Sequence, residues 1–136
     1  MFIPNKKELK KLQKKKIKTS AQSNNYLAFG DFGLKIMENY FITSKQLEMS
    51  RIILSKHTKK IGKFWIKVFP HSSVTAKPLE VRMGKGKGHI SFWISKLKRG
   101  AVLFELSGLS KKSSIFVLRK LAVKLPFRTS IIIKNA

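Results

Sequence analysis

No cysteine occurs anywhere in the chain, which excludes disulfides and the common thiolate zinc sites. Acidic side chains are scarce as well, with 6 Asp and Glu against 30 Lys and Arg. Asp31, Glu38, Glu48, Glu80 and Glu105 stand alone and Glu8 lies inside a basic stretch, so no carboxylate pair suggests acid–base or metal chemistry. Histidine is confined to His57, His71 and His89, in unlike contexts and without metal-ligand spacing, and each reads as an ordinary surface or interface residue. No cofactor and no catalytic residue is expected. No apolar run reaches the ~18 residues that a membrane span requires. Arginine (5) and alanine (6) are few beside 25 lysines, and with abundant Ile, Phe, Asn and Ser this composition suggests a coding sequence rich in A and T.

What is present is positive charge. The 136 residues carry a net charge of +24 while remaining 43% hydrophobic, so the chain can build one modest core but repels itself unless a polyanion neutralises it. Nucleic acid and an anionic membrane surface are the two candidate partners. Between Lys6 and Lys18 only Leu9, Leu12 and Ile17 are apolar, a poor face for lipid, and nucleic acid is the better fit.

Residues 1–25 read as a basic arm, partly disordered when free and ordered on a phosphate backbone, because Lys6, Lys7, Lys10, Lys11, Lys14, Lys15, Lys16 and Lys18 crowd a short stretch. An organellar import peptide competes for this segment, but such peptides are rich in arginine and the arm has none. From 26 to 136 a single α+β domain is expected. Phe29 to Met37 alternates as a half-buried strand whose Gly30 and Gly33 mark a bulge or a close backbone approach. A short extended segment at Tyr40 to Ile42 follows. Thr43 and Gln46 form a capping box opening a helix from Ser44 to about Lys60, ended by a glycine signal at Gly62. Its apolar line is Leu47, Leu54 and Ile61, flanked by Met49, Ile52 and Ile53; Arg51, Lys56, Lys59, Lys60 and Lys63 fall outside it, as RNA contacts or as a solvated charged surface.

Lys63 to Phe69 alternates as a strand ended by Pro70, with Lys67 on the side of Trp65. A long projecting loop is expected from 71 to 89. Ile90 to Leu97 and Val102 to Leu106 read as a β-hairpin turning at Lys98-Arg99-Gly100. Trp65 and Trp93 are either base-stacking platforms or packed strand residues. Ser110 caps a second helix, Lys111 to Leu125, with a stripe of Ile115, Leu118, Leu121, Ala122 and Leu125. The final strand, Arg128 to Lys134, carries three successive isoleucines that suggest burial on both faces. The expected architecture is a compact antiparallel β sandwich or sheet with two packed helices, the basic arm and the long glycine-rich loop.

The most informative stretch is Lys77-Pro78-Leu79-Glu80-Val81-Arg82-Met83-Gly84-Lys85-Gly86-Lys87-Gly88. Glycine at alternate positions forbids a regular element and lets the backbone approach another surface closely. It is either a loop that meets a polyanion through Arg82, Lys85 and Lys87 or a solvated, lysine-rich hairpin tip. A phosphate-binding P-loop requires Ser or Thr after Gly-Lys, whereas Lys87 is followed by Gly88 and His89.

Several blocks together resemble one family, the large-subunit ribosomal protein number sixteen of bacteria and organelles. They are Phe29 to Lys35, Thr43 with Gln46 and Glu48, Gly62 to Pro70, Lys77 to Gly88, and Ala122 to Pro126, in register over nearly the whole chain. The resemblance implies binding to large-subunit rRNA near the peptidyl-transferase centre, neighbouring ribosomal proteins, and no enzymatic activity. It implies that the loop Arg82, Met83, Gly84, Lys85, Gly86, Lys87, Gly88 reaches toward tRNA at the aminoacyl site, and that Lys56 stands beside the rRNA. Arginines usual in the family are lysines here, which replaces bidentate phosphate clamps by point charges. The start of the chain coincides with the family's start, and with the A+T bias this is expected to mean synthesis inside an organelle, a mitochondrion before a plastid or a bacterial cytoplasm. The competing readings are a free nucleic-acid-binding module or RNA chaperone outside the ribosome and, more remotely, a phosphate-handling enzyme.

Overall fold

The computed structural model describes residues 2–4, 11–59 and 61–134. Among them the elements run β1 (Phe32–Ile36), β2 (Tyr40–Thr43), α1 (Ser44–Thr58), β3 (Lys63–Ile66), β4 (Ser72–Ala76), β5 (His89–Leu97), β6 (Val102–Ser107), α2 (Lys111–Lys124) and β7 (Thr129–Ile133). All strand pairs are antiparallel and form two sheets, a four-stranded one in the order β3-β6-β1-β7 and a three-stranded one in the order β2-β5-β4. The expected α+β fold with two helices is the one observed.

The core lies where both helices meet the larger sheet. Phe32, Leu34 and Ile36 of β1 alternate toward it, beside Phe104 and Leu106 of β6, and receive Leu47 and Leu54 from α1 and Val117, Leu118 and Leu121 from α2. Burying each such side chain stabilises the fold by about 1.5–3 kcal/mol. A register shift at Leu34/Lys35 lets consecutive Leu103 and Phe104 both join this core.

Helix α1 begins as expected: Thr43 accepts from the Gln46 N–H at 3.3 Å while Gln46 Oε1 accepts from the Thr43 N–H at 2.9 Å. Its buried stripe differs from the expected one and comprises Ser44, Leu47, Ser50, Leu54 and Thr58. The Ser50 and Thr58 hydroxyls enter the interior because each donates to the carbonyl one turn back, at 2.8 and 2.9 Å. Ile61 lies beyond the helix and is 81% exposed, and Ile52 faces outward at 55%. The helix stops at a left-handed Lys59 (φ 38°) rather than at Gly62, whose missing side chain instead makes room for Leu109.

Three further expectations are corrected. The excursion 71–89 contains β4, paired with β5 from Ser72↔Ile94 to Ala76↔His89, so the irregular loop is only residues 77–88. Buried Ser72 and Ser73 hid this strand, since its sequence carries little apolar alternation. Strands β5 and β6 are not a hairpin but lie in different sheets. Gly100 turns the chain at φ +91°, its N–H reaches the Ile36 carbonyl at 2.8 Å, and the Ile36 N–H reaches the Ala101 carbonyl at 2.9 Å, so the strand leaving the turn joins β1. Finally β7 is an edge strand with one neighbour, which leaves Ile131 and Ile132 half-buried and Ile133 exposed.

Candidate nucleic-acid interface

Residues 77–88 form the tip of the β4–β5 hairpin and project without a core of their own. Leu79 and Met83 are fully exposed, and Gly84 (φ +103°), Lys85 (φ +53°) and Gly86 (φ +83°) follow one another in left-handed backbone, which glycine adopts readily. Open space surrounds Gly84 and Gly86, whereas a side chain at Gly88 would strike the Ala76 carbonyl where the loop re-enters the sheet. Lys77 Nζ donates to the Gly84 carbonyl across the loop, leaving Arg82, Lys85 and Lys87 exposed around it.

The arm meets this loop. Lys11 Nζ donates to the Lys87 carbonyl at 3.0 Å, Lys87 Nζ donates to the Leu12 carbonyl at 2.8 Å, and the Leu12 N–H reaches Ser73 Oγ at 3.2 Å. Further along, Lys14 sits 4.7 Å above the Phe41 ring, Asn39 holds the Ile17 carbonyl at 3.1 Å, and Ala21 bonds the Arg99 carbonyl at 2.8 Å. Residues 11–25 form neither helix nor strand, and Lys11, Lys14, Lys15, Lys16 and Lys18 are all exposed. Lys6, Lys7, Lys10 and Lys60 lie outside the described residues.

On α1, Arg51, Lys56 and Lys59 are exposed. Arg51 pairs with Glu48 at 2.7 Å, and that hydrogen bond with the guanidinium charge holds the Glu48 carboxyl below the usual carboxylate range. Between the helices, His57 lies edge-on to Phe116 with Nε2 3.5 Å from Lys120 Nζ. Partial burial first, then the charges of Lys120, Lys56 and Lys59, push this imidazole below its ordinary pKa. The outward Met49, Ile52 and Ile53, with Lys45 and Glu48, line an apolar surface depression of about 450 Å³.

On the sheet face opposite the helices, Gly33, Glu105 and Trp65 stand side by side across β1, β6 and β3. Residues 24–30 cross this face: the Val102 N–H bonds the Asn24 carbonyl at 2.8 Å, and Leu27 occupies the space a side chain at Gly33 would need. Glu105, fully buried, takes the Phe29 and Gly30 N–H groups at 2.7 and 2.8 Å, the Ala28 N–H at 3.2 Å, and Lys67 Nζ at 3.0 Å. The Lys67 ammonium is thus directed into the protein, while Lys63 on the same strand side is exposed. Trp93 is buried, and Trp65 is half-buried beneath Phe29. The sequence showed Glu105 only as an isolated carboxylate and Phe29 only as the start of a strand, and gave no sign of Tyr26; the amides that hold Glu105 lie about 75 positions from it, and Trp65 and Lys67 are likewise far from Phe29 and Tyr26, so no local pattern joins them.

A chain with a basic arm, basic helix surfaces and a cationic hairpin tip has the surface of a polyanion-binding protein. No described helix is long and apolar enough to cross a membrane. The family model for ribosomal protein L16p/L10e matches residues 4–132. Among similar proteins, large ribosomal subunit protein uL16 of Leptospira biflexa is 41% identical over 99% of this chain and 98% of its own length. The protein of the same name from Levilactobacillus brevis is 39% identical over 97% of this chain and 92% of its own. Large ribosomal subunit protein uL16c of Emiliania huxleyi is 39% identical over 100% of this chain and 99% of its own. The chain belongs to the ribosomal protein L16p/L10e family.

Proposed function

We propose that this chain, a structural and non-enzymatic constituent of the large ribosomal subunit, grips large-subunit rRNA with its basic arm and α1 surface and presents the tip of its β4–β5 hairpin to tRNA. The observation that carries the reading is the pair of bonds at Lys87, whose carbonyl accepts from Lys11 Nζ and whose Nζ donates to the Leu12 carbonyl, tying the arm to a loop otherwise open to solvent. An rRNA backbone neutralising Lys6, Lys7, Lys10, Lys11, Lys14, Lys15, Lys16 and Lys18 would thereby also set the position of Arg82 to Gly88. Arg51, Lys56, Lys59, Lys60 and Lys63 extend the phosphate contacts along α1 and into β3. Lys67 contributes from beneath, through its pair with Glu105. In this division residues 1–25 are the rRNA-seeking arm and 26–136 the folded domain. The exposed Ile52, with half-buried Met49 and Ile53 beside it, suits a neighbouring ribosomal protein.

Replacing Arg82 by Ala tests the loop. Normal incorporation into the subunit with impaired tRNA accommodation is expected, and loss of incorporation would make the loop an rRNA anchor instead. Affinity of the free protein for rRNA should fall steeply with salt, each neutralised phosphate contributing roughly −0.7 to −0.9 to the log–log slope. The lysine-rich, A+T-biased composition supports an organellar ribosome, a mitochondrial one first. Sedimentation of organelle and cytosolic extracts, following this chain by mass spectrometry, tests that assignment: an organellar large-subunit peak supports it, and a cytosolic one excludes it. Exchange through light fractions would favour a free RNA chaperone.

A further inference from the structure

Tyr26 and Phe29 are large aromatic residues held in the open, 62% and 64% exposed, on a backbone that is anything but loose. The buried Glu105 accepts the N–H groups of Ala28, Phe29 and Gly30, which fixes the backbone from which the Phe29 ring projects. One face of Phe29 rests on Trp65, with centroids 6.0 Å apart and planes inclined by 25°. Lys67 Nζ, fixed by the same carboxylate, lies 5.6 Å from the Tyr26 centroid and 5.8 Å from that of Phe29.

We propose that Tyr26 and Phe29, backed by Trp65 and Lys67, form a stacking platform for an unpaired nucleobase of RNA. The proposal rests on the rRNA-binding reading and adds a base contact to a surface otherwise suited to phosphates. A base laid on Phe29 extends the existing Trp65–Phe29 stack by one layer, and because the Phe29 ring already rests on Trp65, little of its side-chain entropy is lost on binding. The Lys67 charge is balanced by Glu105, which leaves exposed Lys63, on the same side of β3 as Trp65, to take the phosphate of the stacked nucleotide. Nothing in the platform reads a base edge, so stacking strength rather than hydrogen bonding sets its preference. The net charge of +24 favours a nucleic acid here over an apolar protein segment.

The test uses the full chain and two probes of near-equal phosphate number, a single-stranded oligouridylate of about 24 residues, whose bases stack little on one another, and a blunt A-form RNA duplex of about 12 base pairs, whose bases are already stacked. Phe29→Leu keeps apolar cover over Trp65 but removes the ring. It should weaken oligouridylate binding about 5- to 150-fold, corresponding to the loss of one base–aromatic stack, leave duplex binding unchanged, and be rescued by Phe29→Trp. Equal losses on both probes, or no loss on either, would overturn the platform while leaving RNA binding intact. Failure of the unsubstituted chain to bind either probe would remove the RNA reading itself. Should Phe29→Leu lose its fold, Tyr26→Ala provides the same comparison. In assembled subunits a benzophenone side chain at position 26 should capture rRNA; capture of a neighbouring ribosomal protein alone would overturn the proposal.

Discussion

Lys67 Nζ lies 3.0 Å from Glu105 Oε1, on a carboxylate that has no exposure to solvent. An isolated buried carboxylate would be strongly destabilising, but this one also accepts the N–H groups of residues 28–30. It therefore joins three parts of the chain, the segment entering β1, the middle of β6 and the residue following β3. Glu105→Ala leaves three amides and an ammonium without their acceptor, and should destabilise the protein by about 3–5 kcal/mol in urea unfolding. The double variant with Lys67→Met should lose less than the sum of the two single variants, because each substitution alone strands the other's partner.

The same carboxylate sets a pH dependence. Burial, the largest single influence, pushes Glu105 up; the amides of Phe29 and Gly30, then Lys67 and the Ala28 amide, together outweigh it and hold the group below the usual carboxylate range. The folded state thus favours the ionised form more than the unfolded state does. This stabilisation is complete above the ordinary carboxylate range and is lost as pH falls through the lowered value. Unfolding midpoints of the native chain and of Glu105→Gln, followed through acid, should converge as pH drops across that window.

At the start of α1 the reciprocal Thr43–Gln46 bonds satisfy two backbone donors. Thr43→Ala removes the side-chain acceptor and should lower stability by about 1 kcal/mol, read as a shift in urea midpoint with unchanged slope.

On α2, Ser114 Oγ is buried and has no hydrogen-bond partner among the described residues. Ser114→Ala removes an unsatisfied hydroxyl and installs a better helix former, so the variant should be more stable by about 1 kcal/mol in thermal or urea unfolding.

Gly30 sits against β6, where an added Cβ would lie 2.7 Å from the Leu106 carbonyl oxygen and 2.9 Å from its nitrogen. Gly30→Ala forces two backbones apart beside the Glu105 anchor and should destabilise by about 1–3 kcal/mol, whereas Gly84→Ala, in open space, carries only the strain of its positive φ. Unfolding midpoints of the two variants separate packing from backbone conformation.

Local chemistry was enough for much of the outline. The capping box, the Ser110 cap and the alternation in β1 and β3 each depend on neighbours a few residues apart, and Gly30 and Gly33 announced a close approach though not that β6 makes it. The glycine loop was legible for the same reason. Strand β4 was not, because Ser72 and Ser73 are buried by position in the sheet rather than by their own hydrophobicity. Of the interface, the cations were visible in the sequence. Their division into outward Lys63 and inward Lys67 was not, since it follows from a carboxylate far along the chain.

The sequence by itself determined every element but β4, the excess of positive charge and the family, because propensity, capping and composition act over short distances or over the whole chain at once. Only the tertiary structure decided that β5 and β6 part into separate sheets, that the arm and the loop clasp one another, and that Tyr26 and Phe29 stand open on an anchored backbone. Each of these is a contact between segments distant in sequence, chosen by which strands and charges find complementary partners when the core closes.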